Sequence, residues 1–344
     1  MALSLKTKAC VVLAGNSGVE KHRLAQLFAR AVGATEENGR YKMLPVQPDW
    51  LAASDLLGRV NLEGMFLPGA VLDFFKQAQS DQEHPYFLCL DRINLSSVEY
   101  YLKDIVAGLE KRTEQQKKPL ITEKYYGQDT EAARTYGDIY VGQNLYVICT
   151  VNMDEASYPL NQRFLDRVHT MLLEKEDLVQ ECVCERRPEE IKTDNAFLLP
   201  CYRQIIREGE HWEFVLKYFG VFQQINSILV KARAYAEYTL RDDAILYLLH
   251  NLNEDVLPEN GAMDFMFLQK ILPRVQGSRK MVGQTIGALF EYCAGPFADQ
   301  PGDSDSAKMA AVLTNTEAKY PVTAQKLVEL AGQCERDDYA SIWI

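Results

Sequence analysis

The chain has 344 residues, 47% of them hydrophobic, with a formal net charge of -11 and a pI of about 5.1. This is enough apolar material for a large core and more than one domain, and the acidic balance argues against a module that binds DNA or RNA on its own. The N-terminus lacks a signal-peptide pattern, and no apolar run approaches the roughly 20 residues of a membrane span. Eight cysteines are scattered. Cys182 and Cys184 are the only close pair, and no second pair offers zinc-ligand spacing. A cytoplasmic protein with reduced thiols is expected.

The first half alternates strand and helix signals. Ala9–Leu13 reads as a buried strand and Lys21–Val32 as an amphipathic helix. Tyr41–Gln47 reads as a second strand. Pro68 suits the first position of a helix running to about Gln79. Tyr86–Leu90 is an apolar strand ending in Asp91. Over Ser97–Lys111 the residues Val98, Tyr101, Leu102, Ile105 and Leu109 share one helical face. Tyr125-Tyr126 and Tyr136–Tyr140 fall in a Gly-containing insertion, read as a surface hairpin, with a pore-lining loop as the alternative. Leu145–Val151 is another buried strand, ending at Asn152. Such alternation indicates a mainly parallel sheet covered by helices on both faces.

Around Glu174–Thr193 the composition turns charged and poor in apolar residues. Beyond Pro200 the pattern is helical: Trp212–Tyr238, Arg241–Leu252, Ala262–Leu272, Lys280–Cys293 and Thr323–Cys334, with breaks at Pro258, Gly261, Pro273, Gly277 and Pro301. Trp212, Phe214, Tyr218 and Phe222 are spaced for packing within this helical part. The expected division is an α/β core over 1–175, a connection or extra element over 176–199, and helical segments over 200–344.

Four short constellations carry possible chemistry. Between the first strand and the first helix lies Gly15-Asn16-Ser17-Gly18-Val19-Glu20-Lys21-His22. The position suits a phosphate loop, in which backbone N–H groups and the helix dipole face the anion. Against the pattern G-x-x-x-x-G-K-[ST], Gly15 and Lys21 are in register, but Glu20 replaces the second glycine and His22 the hydroxyl residue. A carboxylate about 4 Å from a phosphate costs on the order of 4 kcal/mol at an effective dielectric near 20. Imidazole is also a poor substitute for an oxygen ligand of magnesium.

Asp91, closing an apolar strand, is placed to hold magnesium; a helix cap or turn role is the alternative. Arg92 follows it where a water-positioning acid is usual. Asn152 closes the strand Leu145–Val151 and could touch a γ-phosphate or a water, or serve as a turn residue. Arg167, in Leu165-Asp166-Arg167, could reach a neighbouring subunit's nucleotide or form a surface ion pair. Glu20 and Arg92 carry opposite charges at adjacent parts of this pocket; an ion pair that partly fills the phosphate site is one expectation, and each facing solvent is the alternative.

In order, these pieces resemble the McrB-like branch of the AAA+ NTPases, the nucleotide-driven subunits of modification-dependent restriction systems. The resemblance runs from about Leu5 to Arg279. It rests on Val46-Gln47-Pro48-Asp49-Trp50 with Ser54-Asp55-Leu56-Leu57-Gly58, and on Tyr86–Asp91 with Ile93-Asn94-Leu95 and Val98-Glu99-Tyr100-Tyr101. Thr150-Val151-Asn152-Met153-Asp154-Glu155 with Leu165-Asp166-Arg167, and Ile271-Leu272-Pro273-Arg274 with Gly277-Ser278, complete it.

The resemblance implies a P-loop AAA+ α/β core with a five-stranded, mainly parallel sheet and an all-helical lid. It implies ATP or GTP with Mg2+ as cofactor, Gly15 to His22 as the phosphate loop, and Asp91 as the metal-holding acid. Asn152 matches the sensor asparagine, Arg167 the better and Arg163 the weaker arginine finger, and Arg274 a second sensor. Rings of like or mixed AAA+ subunits and a McrC-like nuclease are the implied partners, with DNA engaged through partners or a further domain. Few residues precede the first strand, too few for the DNA-recognition domain many relatives carry. Relatives have Gly-Lys-Thr or Gly-Lys-Ser where this chain has Glu20-Lys21-His22, and Asp-Glu where it has Asp91-Arg92. Impaired hydrolysis is therefore expected, with an active ring motor and a scaffold that binds no nucleotide as alternatives.

Overall fold

The structure is a computed structural model that describes residues 1–111, 117–154, 158–173, 194–199, 211–234, 238–298, 300, 302 and 304–343. Most of the expected connection over 176–199 lies outside these residues, as do Glu155, Cys182, Cys184 and Pro301. The chain divides into two compact units, Met1–Pro200 and Cys201–Ile344.

The first unit is built on five parallel strands: β1 (Cys10–Gly15), β2 (Tyr41–Pro45), β3 (Tyr86–Asp91), β4 (Leu145–Asn152) and β5 (His169–Leu172). Their order in the sheet is β2-β3-β4-β1-β5, so β4 lies between β1 and β3. All six residues of β1 and all eight of β4 are buried. Near-continuous apolar runs of this kind mark strands covered on both faces. Parallel register sets Gly15 beside Asn152 and Leu90 beside Cys149, which brings the carboxyl ends of β1, β3 and β4 to one edge. In open α/β sheets this edge is where ligands bind.

Helices α1 (Lys21–Ala31), α2 (Leu72–Ser80) and α3 (Lys103–Lys111) belong to this unit. The predicted helical face over Ser97–Lys111 is real. Val98, Tyr101, Leu102, Ile105 and Leu109 are all buried, although the helix is interrupted at Leu102, between Val98–Tyr101 and α3.

Two expectations in this unit are corrected. Pro68 does not open a helix; it ends a short antiparallel hairpin of Gly58–Val60 with Phe66–Pro68, and α2 starts at Leu72. A proline has no N–H to give a ladder, and it sits at the hairpin's last position, where that loss is tolerated. The tyrosine-rich insertion is not a surface hairpin but two short helices, Glu123–Tyr126 and Thr130–Tyr136. Asp129 organises it, accepting from Ala132 N at 2.9 Å as a helix cap and from Phe66 N at 2.9 Å. Tyr125 is buried and donates to Asp104.

The described part of the second unit is almost wholly helical: α4 (Trp212–Leu229), α5 (Tyr238–Glu254), α6 (Glu259–Met266), α7 (Arg279–Ala294), α8 (Asp305–Asn315) and α9 (Pro321–Asp337). Gly261 lies inside α6 and is no break. α6 passes directly into a π-helical stretch, Phe267–Ile271, and a 3-10 turn, Leu272–Arg274. Tyr218 and Phe222 pack inward as expected, whereas Trp212 is exposed. α9 begins on a cap from another helix: Asp264 of α6 accepts from Val322 N and Thr323 N at 3.0 and 2.8 Å. That satisfies two of the donors a helix start leaves open.

Candidate functional site

The site is built at the carboxyl edge of β1, β3 and β4. β1 delivers the chain to Gly15, where a Cβ would lie 2.4 Å from the Leu173 carbonyl oxygen, so only glycine fits. Gly18 follows with φ 88° and Glu20 with φ 45°. Glu20 stands where the phosphate-loop pattern has its second glycine, yet the backbone keeps a left-handed conformation there. For a side-chain-bearing residue this costs about 1–2 kcal/mol. The fold holds the loop's shape although the residue that makes that shape cheap is gone.

The side chains then diverge from the expectation. Glu20 and Arg92 do not form an ion pair. The Glu20 carboxylate is 2.7 Å from Arg23, three residues on along α1, with both side chains more than half exposed. Helical spacing supplies this partner at little entropic cost, and such an exposed pair adds little stability. Lys21 is only 5% exposed. Its ammonium donates to the carbonyls of Gly15 at 2.9 Å and Asn16 at 2.8 Å, within its own loop. His22 is exposed on the first turn of α1, Val19 is half-buried, and Asn16 and Ser17 are exposed.

Asp91 is tied in twice. Thr150 Oγ1 donates to its Oδ1 at 2.6 Å, and Arg92 Nε lies 3.6 Å from its Oδ2. The Thr150 hydroxyl in turn accepts from the Arg92 N–H at 2.8 Å, and Arg92 itself is left-handed with φ 57°. Thr150 therefore joins the tip of β4 to the turn after β3. Asn152 is buried, and its carbonyl accepts from Asn94 Nδ2 at 2.8 Å. Just beyond it, Met153 N donates to the Gly15 carbonyl at 3.1 Å, and Asp154 Oδ1 accepts from Ser17 N at 2.9 Å.

The structure thus gathers Gly15 to His22, Asp91 and Asn152 at one edge, and adds Thr150 and Asp154. Sequence reasoning quoted those two residues without singling them out; their proximity to Asn152 on an expected strand tip was the available signal. The arginines are placed differently. Arg167 Nε is 3.6 Å from Glu110 Oε1 at the end of α3, while Arg163 is exposed on a helical turn capped by Asn161. Arg274 belongs to the second unit, where it is buried and donates from Nε to the Lys270 carbonyl at 3.1 Å. Lys270 is itself buried, 3.5 Å from Asp243.

Fit to a nucleotide differs between its parts. A polyphosphate suits a loop that keeps Gly15, a left-handed residue 20 and Lys21. Protein ligands for magnesium suit the site poorly: both Asp91 oxygens are engaged by Thr150 and Arg92, and a histidine stands where a hydroxyl would coordinate. The cysteines of the sheet offer no nucleophile. Burial pushes the Cys89 thiol up to about 12, and Cys10 and Cys149 face each other in the core with sulfurs 4.0 Å apart.

Comparison with known proteins agrees on the fold. A solved structure from Cytophaga hutchinsonii, described as a candidate ATPase, matches with a TM-score of 0.50 at 17% identity, covering 79% of each chain. Together with the five-stranded parallel sheet and the helical second half, this likeness shows an α/β core followed by a helical region. NtrX from Brucella abortus matches at 12% identity over 96% of this chain and 60% of that one, with a TM-score of 0.29 too low to support a fold argument. A family described as a domain of unknown function (DUF8727) matches residues 194–339. No curated protein matches the chain.

Proposed function

We propose that this chain is a nucleotide-binding AAA+ subunit impaired in hydrolysis, acting in a McrB-like restriction or defence assembly. The observation that carries the reading is the contrast within one edge of the sheet. The loop keeps the backbone of a phosphate cradle across Gly15, Gly18 and Glu20, while Asp91 is held by Thr150 and by the arginine that replaces a water-positioning acid. Binding needs the first; hydrolysis needs the second free and joined by a base.

Lys21 would meet the phosphates of ATP or GTP, and Asn152, at the tip of β4, would approach the terminal one. Bound Mg2+ would supply charge neutralisation, at a site where Asp91 is the only one of the expected ligands retained. The ring neighbours would be AAA+ subunits, of this chain or of intact relatives, working with a McrC-like nuclease that engages DNA. In such a ring a silent subunit still serves its neighbour. Arg163 is exposed for that role, whereas Arg167 must first leave Glu110. If Arg167 is nevertheless the finger, Arg167→Ala lowers a partner's hydrolysis; unchanged rates count against it.

The test is calorimetry with ATP, GTP and their slowly hydrolysed analogues plus magnesium, run beside a turnover assay. Binding without turnover is expected. No binding would make the chain a scaffold, and turnover well above background would make it a working motor.

A further inference from the structure

We propose that Asp154 governs anion occupancy of the phosphate loop: its carboxylate holds the Ser17 N–H, and a polyphosphate seats only by displacing it. The inference rests on the reading of Gly15 to His22 as a nucleotide loop, and it adds a residue which that reading does not require.

The turn after β4 binds the loop at two points. On one side Met153 N donates to the Gly15 carbonyl at 3.1 Å; on the other Asp154 Oδ1 accepts from Ser17 N at 2.9 Å. The second bond has a charged acceptor, and such bonds are roughly twice as strong as neutral ones. In a phosphate loop the backbone N–H groups are reserved for the ligand's oxygens. Here one of them already serves a carboxylate of the same chain. Asp154 is exposed, so its charge was not forced onto the loop by burial.

The loop's other charged side chains are directed elsewhere. The ammonium of Lys21 donates to Gly15 and Asn16, and Glu20, the other loop carboxylate, is neutralised by Arg23. Asp154 is thus the carboxylate directly bonded to the loop backbone, and its like charge opposes an incoming phosphate. Displacing it would free a donor and remove a repulsion at once. Both consequences follow from the carboxylate, so removing its charge should favour an anion, and removing its acceptor as well should also free the Ser17 N–H.

The experiment measures binding of inorganic tripolyphosphate and of ATP, each without metal, to the full chain and to Asp154→Asn and Asp154→Ala. Because residue 154 lies on an exposed turn, both variants should fold, and melting curves verify this. Both should bind at least about tenfold more tightly than the wild type, because a like charge is removed. The gain should be larger for Ala, since Asn can still accept from Ser17 N. Equal or weaker binding by the variants overturns the proposal, as does absence of binding in all three proteins. Turnover by the wild type would overturn impaired hydrolysis and leave Asp154's role standing. Unchanged affinity across the three would remove Asp154's role and leave impaired hydrolysis standing.

Discussion

The loop between β1 and α1 and the turn between β3 and the following helical turn share a backbone feature and differ in where the side chain at that position goes. Each carries a charged residue in left-handed backbone, Glu20 at φ 45° and Arg92 at φ 57°. The Glu20 side chain finds its partner outside the loop, at Arg23. The Arg92 side chain turns onto Asp91, the very group it follows. The first leaves the loop with a strained left-handed residue whose charge is met by Arg23. The second ties up Asp91, the acid that the proposed function would need for holding metal. On the function proposed above, the two residues would separate binding from hydrolysis, according to where the nearest counter-charge lies.

That comparison can be broken or sharpened by substitution. The largest effect belongs to Lys21. Replacing it with Ala removes the loop's ammonium, leaving the Gly15 carbonyl with its bond from Met153 N and taking the Lys21 donor from the Asn16 carbonyl. Nucleotide affinity should fall about a hundredfold, near 2.8 kcal/mol, in a titration. An unchanged affinity would show that nucleotide does not use this loop.

Thr150→Val comes next. It strips Asp91 and the Arg92 N–H of a common partner and should destabilise the first unit by about 1–3 kcal/mol, read as a lower denaturant midpoint. Arg92→Ala should free one Asp91 oxygen. The ratio of nucleotide affinity with and without magnesium should then rise about tenfold, or about 1.4 kcal/mol. If it stays flat, Arg92 does not restrain Asp91. Glu20→Gly has the smallest effect: it relieves left-handed strain and should stabilise the protein by about 1 kcal/mol, a few degrees in melting temperature. A lower melting temperature would mean that the Arg23 pair outweighs that strain.

Much of this was legible in the sequence because the sheet is built from signals that survive without context. The apolar runs of β1, β3 and β4 are buried on both faces, and the acid and amide that end β3 and β4 sit where those runs predict. β5, His169–Leu172, was not read as a strand. It is four residues long, two of them polar, and its pairing with β1 rather than its own pattern makes it one. α8 was missed because its buried side chains are only Met309 and Val312, too few for a periodic signal. Pro68 and Gly261 were misread because both residues act through their surroundings, a hairpin end in one case and a tolerated helix interior in the other.

The ion-pair expectation failed for a different reason. Opposite charges at neighbouring motif positions say nothing about closer competitors, and Arg23 and Asp91 are nearer in the chain to Glu20 and Arg92 than these are to each other. The hydrogen bond from Ser17 to Asp154 spans 137 positions and has no sequence signature at all.

The most direct measurement of the central claim is the steady-state hydrolysis rate of ATP and GTP by the wild type and by one combined variant, Glu20→Gly, His22→Thr and Arg92→Glu. If binding and hydrolysis have been separated at these three positions, the wild type binds nucleotide with turnover at background, and the combined variant hydrolyses it. Equal, substantial turnover by both proteins would contradict the account.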